Sequence, residues 1–187
     1  MTGPTITRGE LALVPVAPEH LETLRVWRNS SAVGQFMYSE TNLSPEDQLR
    51  WFSALDADPK RASWVIIAAG EPVGALNVID YDASHRRASA GYYLGEESMR
   101  GVGLGALVEF LLLELFFGHF NGYRLERQVF ASNEAAVRML EQFGFRREGL
   151  LREYSIKNGQ RIDVVALAML APEWRALRGH FDALLPS

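Results

Sequence analysis

The 187-residue sequence contains no cysteine, which excludes a disulfide framework, a thiolate metal site and a cysteine nucleophile. Histidine is nearly as scarce. His20, His85, His119 and His180 are isolated and lack the i, i+4 spacing of a helical metal site, so no metal is expected. Lysine is limited to Lys60 and Lys157, and the formal net charge is −4. A dedicated nucleic-acid partner is therefore not expected, because such binding draws on clustered basic residues. No apolar run reaches the roughly 20 residues of a membrane span. The most apolar stretch, 104–117, is interrupted by Glu109 and Glu114. Near the N-terminus, Pro4, Arg8 and Glu10 stand where a secretory leader needs an unbroken apolar core. These absences predict a soluble, cytoplasmic chain, monomeric or homodimeric, with no membrane partner. What is present is an ordinary globular composition, 48% hydrophobic and 22% charged, in a length that favours one domain.

The pattern along the chain is mixed α/β. Residues 11–16 read as a strand; Pro18, Glu19 and Glu22 open a helix whose buried stripe is Leu21, Leu24 and Trp27. Ser44-Pro45-Glu46-Asp47 starts another helix with a cap, a proline and early acidic charge, and Leu49, Phe52 and Leu55 give it one apolar face. From residue 62 the period changes to that of strands: 64–68, 73–79 and 88–94 form an antiparallel meander. It changes again at 103–118, a helix, followed by a strand over 123–131, a helix over 133–143 and two strands meeting at Lys157-Asn158-Gly159-Gln160. Asn-Gly is the favoured hairpin turn there. Residues 172–185 read as a short terminal helix.

Arg100-Gly101-Val102-Gly103-Leu104-Gly105-Ala106 is the strongest local signal. Successive glycines before a helix let backbone N–H groups approach a phosphate without side-chain obstruction. Gly101, Gly103 and Ala106 satisfy the dinucleotide pattern G-x-G-x-x-G/A, with Glu126 about 20 residues downstream. Five residues, 96–100, separate the strand from the first glycine, whereas a dinucleotide fingerprint turns directly from strand to helix.

The same window also matches Gln/Arg-x-x-Gly-x-Gly/Ala through Arg100, Gly103 and Gly105. Downstream, the run from Asn133 to Phe145 resembles the second motif of the GCN5-related N-acetyltransferases (GNAT). Glu148 to Tyr154, Asn158-Gly159 and Asp163 resemble the closing hairpin of their ribosomal-protein-acetylating RimJ/RimL-like branch. The resemblance implies one domain over residues 1–187, with 171–187 as a short C-terminal helical extension. It implies a central, mostly antiparallel twisted sheet with flanking helices, in which the strand before the glycine turn splays from the next and acetyl-CoA lies in the gap. The pyrophosphate would sit on the amides of Val102, Gly103, Leu104, Gly105 and Ala106, beside Arg100 and Gly101, and pantetheine would pair near Leu94. Asn133 would stand at the cleft edge. Arg138 would approach the cofactor phosphates or remain an exposed helix charge.

Transfer to an amine needs a neutral nitrogen, a stabilised oxyanion and a proton for the departing thiolate. Ser89, Gln128 and Leu140 occupy the positions where many relatives carry acidic or phenolic groups. With no cysteine, transfer is expected to be direct and the protons to move through water or oxygen side chains. The candidates are Asp80 and Asp82 at a strand end facing the cleft, and Tyr154 or Ser155 on the hairpin. The alternatives are that Asp80 and Asp82 shape a turn and that Arg152 and Asp163 form a cross-strand ion pair.

On the acceptor side, Trp27-Arg28-Asn29, Phe36-Met37-Tyr38 and residues 44–51, including Gln48, resemble amino-sugar N-acetyltransferases of pseudaminic acid biosynthesis. Aromatic faces and Arg28 suit a base and a phosphate, although Trp27 fits a core position equally well. A nucleotide-linked amino sugar is the leading acceptor implied. Protein N-termini, small amines such as aminoglycosides or polyamines, and a catalytically inert acyl-CoA-binding module are the alternatives.

Overall fold

The computed structural model describes residues 3–38, 42–99 and 103–186. Eight strands form one sheet: β1 (Ile6–Arg8), β2 (Leu11–Pro15), β3 (Ala62–Ala68), β4 (Glu71–Asp82), β5 (Arg87–Leu94), β6 (Arg124–Phe130), β7 (Arg146–Lys157) and β8 (Gln160–Leu170). Their order is β1-β2-β3-β4-β5-β6-β8-β7. Neighbours are antiparallel except β5 and β6, which run parallel. This is the mixed, mostly antiparallel sheet that the sequence leads one to expect. β1 alone was not foreseen, because three residues are too few for a period-two pattern to declare itself.

Alternation along the strands sorts side chains to two faces. On β3 and β4, Trp64, Ile66, Leu76 and Val78 join the larger core with Val108, Leu112, Val137, Leu140, Trp174 and Phe181. These last six belong to α4 (Leu104–Leu113), α5 (Glu134–Gln142) and α6 (Ala171–Leu184), which therefore cover that face. The opposite face carries α1 (Leu21–Asn29), α2 (Ser31–Gly34) and α3 (Pro45–Ala57). There Leu24, Trp27 and Val33 pack on Val65 and Ala75, with Trp51 at the edge.

The helix expected over 103–118 is α-helical only to Leu113, after which Glu114–His119 widens into a π turn. Glu114 there accepts from Trp174 Nε1 at 3.2 Å and from Arg178 Nη2 at 2.8 Å, which fastens α6 to the end of α4.

α3 departs from expectation in which side it buries. Leu49 is 56% exposed, whereas Gln48 is only 6% exposed. The capped start is as expected, with Ser44 and Asp47 forming a reciprocal capping box. The inward side mixes Asp47 and Gln48 with Trp51 because the helix overlies a cavity at the edge of the smaller core.

Trp27 anchors α1 to the end of β5. Its Nε1 donates to Glu96 Oε1 at 3.0 Å, and a Cβ at Gly95 would lie 2.1 Å from its Cδ2. Only glycine lets the indole lie this close. Gly95→Ala forces the indole or the strand to shift, and the expected destabilisation is about 1–3 kcal/mol, read as a lower urea midpoint at unchanged m-value.

Candidate active site

β5 and β6 share a ladder over three pairs, Arg87–Arg124, Ala88–Leu125 and Ser89–Glu126. Beyond Ser89, β5 continues alongside β4 as far as Leu94, while β6 continues alongside β8 as far as Phe130. The two strands therefore diverge toward their C-terminal ends, opening a V whose mouth leads to the glycine turn. Arg100, Gly101 and Val102 lie outside the described residues.

Gly103 caps α4 with φ of 84°, and a Cβ there would meet nothing within 4 Å. The left-handed conformation favours glycine, and the space a side chain would take at this position is open. The start of a helix is the positive end of its dipole, so this terminus suits a phosphate, although the Ala106 amide is itself engaged, donating to Gly103 O at 3.1 Å. Leu104 and Ala106 turn inward to the core, so the ligand-facing groups here are backbone atoms. Tyr92 Oη donates to Gly105 O at 2.8 Å, holding that first turn against β5. The splayed pair and the helix terminus at its mouth together suit an extended ligand that carries a phosphate group.

On the α1–α3 face lies a cavity of about 310 Å³ lined by residues of five elements. α1 contributes Leu24 and Arg28, α3 contributes Asp47, Gln48 and Trp51, β3 contributes Ser63, β4 contributes Asn77 and β5 contributes Tyr93. Ser63 Oγ donates to Asn77 Oδ1 at 2.6 Å, so the Asn77 NH2 group is kept for other acceptors. Asp47 accepts from the Ser44 amide at 2.9 Å and pairs with Arg50. The Ser44 hydrogen bonds hold its carboxyl below the usual range. Burial pushes the Tyr93 phenol well up, with Arg28 pulling in the opposite direction. Tyr93 is thus a neutral hydroxyl between the cavity and the V.

Across the V, Tyr38 Oη donates to Gln128 Oε1 on β6 at 3.3 Å, and its ring meets Phe130 and Tyr154 edge-on at 5.0 and 6.3 Å. Lys157 Nζ donates to Met37 O at 3.0 Å, so the segment after α2 is tied to the β6–β7 side. Burial first, then Tyr154, pushes the Tyr38 phenol from its ordinary 10 to about 12. The protonated form is the one folding favours. Its contribution is fully present below pH 10 and is lost as pH rises through about 12. An ultraviolet phenolate titration of wild type minus Tyr38→Phe should show this phenol ionising near pH 12 rather than near 10.

The remaining sequence candidates fall into distinct places. Arg28 and Gln48 line the cavity. Trp27 is 6% exposed and belongs to the core with its indole N–H already engaged. Asn29 is a clamp: it donates to Leu43 O at 2.9 Å and accepts from Leu43 N at 2.8 Å, closing the segment between α1 and α3. Asn133 caps α5 through Ala136 N at 3.3 Å, and Arg138 pairs with Glu134 at 2.8 Å on an exposed surface. Leu94 packs against the α4-side core.

Asp80 and Asp82 do not face the open part of the cleft. Ile79 is level with Ser89 and Asp82 with Arg87, so both carboxylates sit at the closed end of the V, where β5 and β6 are still paired. Asp80 is exposed at a bulge with φ of 54°, and Asp82 caps a turn through the His85 amide at 3.0 Å. On the hairpin, three residues of β7, Arg152, Glu153 and Tyr154, bulge opposite Asp163. Asp163 accepts from the Glu153 amide at 2.7 Å, and the ion pair in this region is Arg161–Glu153 at 3.5 Å rather than Arg152–Asp163. The bulge turns Tyr154 toward Tyr38, and Ser155 resumes the ladder opposite Ile162. Leu140 is fully buried and Ser89 Oγ donates to Glu126 O at 3.4 Å, so neither position carries a proton-transfer group.

Tyr93, Asn77 and Ser63 have no part in the sequence reading of the site, and Asp47 enters it only as a helix-start residue within the acceptor-side segment 44–51. The available signal was weak: a polar Asn77 within an otherwise apolar strand. No helix is long and apolar enough to cross a membrane, and no group of three or more metal-ligating side chains occurs, among the described residues.

A sheet split at its one parallel pair, with a glycine-capped helix at the mouth of the split, is the acyl-CoA N-acyltransferase architecture. The chain belongs to the acetyltransferase (GNAT) domain family, whose model matches residues 10–146. It is a GNAT-type N-acetyltransferase. Among relatives, the uncharacterized N-acetyltransferase YoaA of Bacillus subtilis (strain 168) is 26% identical over 175 residues, covering 90% of this chain and 98% of that protein. The uncharacterized N-acetyltransferase p20 of Bacillus licheniformis is 29% identical over 121 residues, 65% of this chain and 67% of that protein. The spermidine N-acetyltransferase of Vibrio cholerae, solved in complex with CoA and spermine, superposes with a TM-score of 0.84 at 21% identity, covering 89% of this chain and 98% of that one. At that identity the likeness concerns the fold.

Proposed function

We propose that the protein transfers acetyl directly from acetyl-CoA to the primary amine of a small acceptor that carries an anionic group, with a nucleotide-linked amino sugar as the leading candidate. The observation that carries this reading is the cavity. At about 310 Å³ it stands at the small end of ligand sites. Its lining has one cation, Arg28, and one carboxylate, Asp47, among the described residues. A phosphate or carboxylate on the acceptor would meet Arg28, while Gln48, Asn77 and Ser63 supply hydrogen bonds to a polar body. A polyamine would need several carboxylates facing it, and among the described residues the lining offers only Asp47.

In this reading the α4 N-terminus, with Gly103, Leu104 and Gly105, holds the pyrophosphate, and β5 near Leu94 holds the pantetheine arm. Acetyl-CoA brings the activated acyl group and a thiolate as leaving group. Proton handling falls to water and to hydroxyls on the acceptor side: Tyr93 on β5, Tyr38 and Tyr154 across the V, and Ser155 on β7. The test is thiol release from acetyl-CoA over a panel of amines: amino sugars with and without a linked nucleotide, amino acids, peptide N-termini and polyamines. Anion-bearing small amines are expected to have the highest kcat/KM. Preference for spermidine would overturn the acceptor assignment, and acetyl-CoA binding without release for any amine would make the chain an acyl-CoA-binding module.

A further inference from the structure

Where the β5–β6 ladder stops, a buried ionic cluster begins. Arg127 is the residue immediately after Glu126, the last β6 residue paired with β5. Its Nη1 donates to both carboxylate oxygens of Glu109 on α4, at 3.0 Å each. Arg127 is 6% exposed and Glu109 is 0% exposed. The guanidinium also lies 5.5 Å from the ring centroid of Tyr92 on β5 and 5.9 Å from that of Phe145. Tyr92 in turn donates to Gly105 O in the first turn of α4, with Met139 Sδ at 3.5 Å. Burial pushes the Tyr92 phenol up and keeps it a neutral donor. It also pushes the Glu109 carboxyl up, against the pull of Arg127.

Two side chains thus link the diverging strands through α4 where main-chain hydrogen bonds no longer link them directly. Stability alone does not account for such a pair, because a buried ion pair gains little over apolar side chains of similar volume. What it does supply is directional bonding at a fixed distance. We propose that Tyr92, Arg127 and Glu109 are positioning residues that set the width of the V and hold the α4 N-terminal turn against β5, and so determine affinity for the CoA moiety. The proposal rests on the assignment of the V as the acetyl-CoA site.

The test uses two variants, because removing Arg127 alone would strand a buried carboxylate. The first is Arg127→Met with Glu109→Leu, which keeps an apolar filling; the second is Tyr92→Phe, which removes only the hydroxyl link. CoA binding is measured by calorimetry alongside thermal unfolding and steady-state kinetics. The double variant is expected to melt near wild type, to bind CoA about tenfold more weakly and to raise the KM for acetyl-CoA in parallel, with a much smaller change in kcat at saturation. Tyr92→Phe is expected to weaken CoA several-fold. A folded double variant with wild-type CoA affinity overturns the proposal. Should the double variant not fold, unchanged affinity in Tyr92→Phe does the same. If wild type itself does not bind CoA, the assignment of the V fails instead, so the two failures are distinguishable.

Discussion

Gly103→Asp is expected to lose acetyl-CoA affinity by on the order of 100-fold, while the protein stays folded. A carboxylate about 5 Å from a doubly charged pyrophosphate, at an effective dielectric of roughly 50 for this exposed turn, is repelled by about 3 kcal/mol in all. Sterics contribute little, since a Cβ at this position meets nothing within 4 Å. Backbone strain is the competing cause, because φ is 84°. Asn and Asp tolerate that region better than other non-glycine residues. Gly103→Asn is therefore the control: similar shape and conformational cost, no charge. Asn should retain most of the affinity that Asp loses. Thermal unfolding should separate the same two effects, since Asp at a helix N-terminus is favourable to the fold. Equal loss of CoA binding in both variants would mean that conformation at Gly103, rather than a phosphate on the α4 amides, controls binding.

Arg28→Met should reduce kcat/KM for anion-bearing acceptors roughly 10- to 100-fold, leaving the KM for acetyl-CoA near wild type. A hydrogen bond to a charged group contributes about 1.5–3 kcal/mol. Methionine keeps much of the packing volume against Tyr93, so the loss reports the charge rather than a cavity. Arg28→Lys should restore only part of it, because an ammonium cannot reproduce a bidentate contact. Neutral amines, if turned over at all, should be little affected. A uniform fall across charged and neutral acceptors would remove Arg28 from acceptor recognition and make it a structural residue of the α1–α3 layer.

Local chemistry was legible where a single stretch of chain carries the whole signal. Ser44-Pro45 as a helix start and Asn158-Gly159 as a hairpin turn need only their own neighbours, and both are found as read. Gly103 was readable for the same reason, since a positive φ before a helix is a property of one residue. Burial stripes were legible only when they faced the core. α1 shows Leu21, Leu24 and Trp27 buried as expected, whereas α3 hides Gln48 and leaves Leu49 exposed. A helix over a cavity that draws Gln48 and Asp47 into its lining does not follow the apolar rule, so its periodicity points the wrong way.

Individual roles required contacts between residues distant in sequence. Asn29 looked like a ligand residue and is a clamp on Leu43, while Trp27 is held by Glu96, 69 residues away. Asp80 looked placed for catalysis because it ends a strand next to the cleft strand. Which end of a diverging pair it occupies is a matter of register, and register is set by pairing across the sheet.

By itself the sequence determined the order of the longer elements, the glycine-capped helix, the absence of cysteine chemistry and the likeness to the N-acetyltransferases, because each of these is written in local pattern. Tertiary structure alone decided that β5 and β6 part after Ser89 and Glu126, that Arg28, Gln48, Asn77 and Tyr93 share one cavity, and that Glu109 and Arg127 meet beneath the split. The physical reason is that a cleft is made by hydrogen bonds that stop, and where a ladder stops depends on what packs against both strands from elsewhere in the chain.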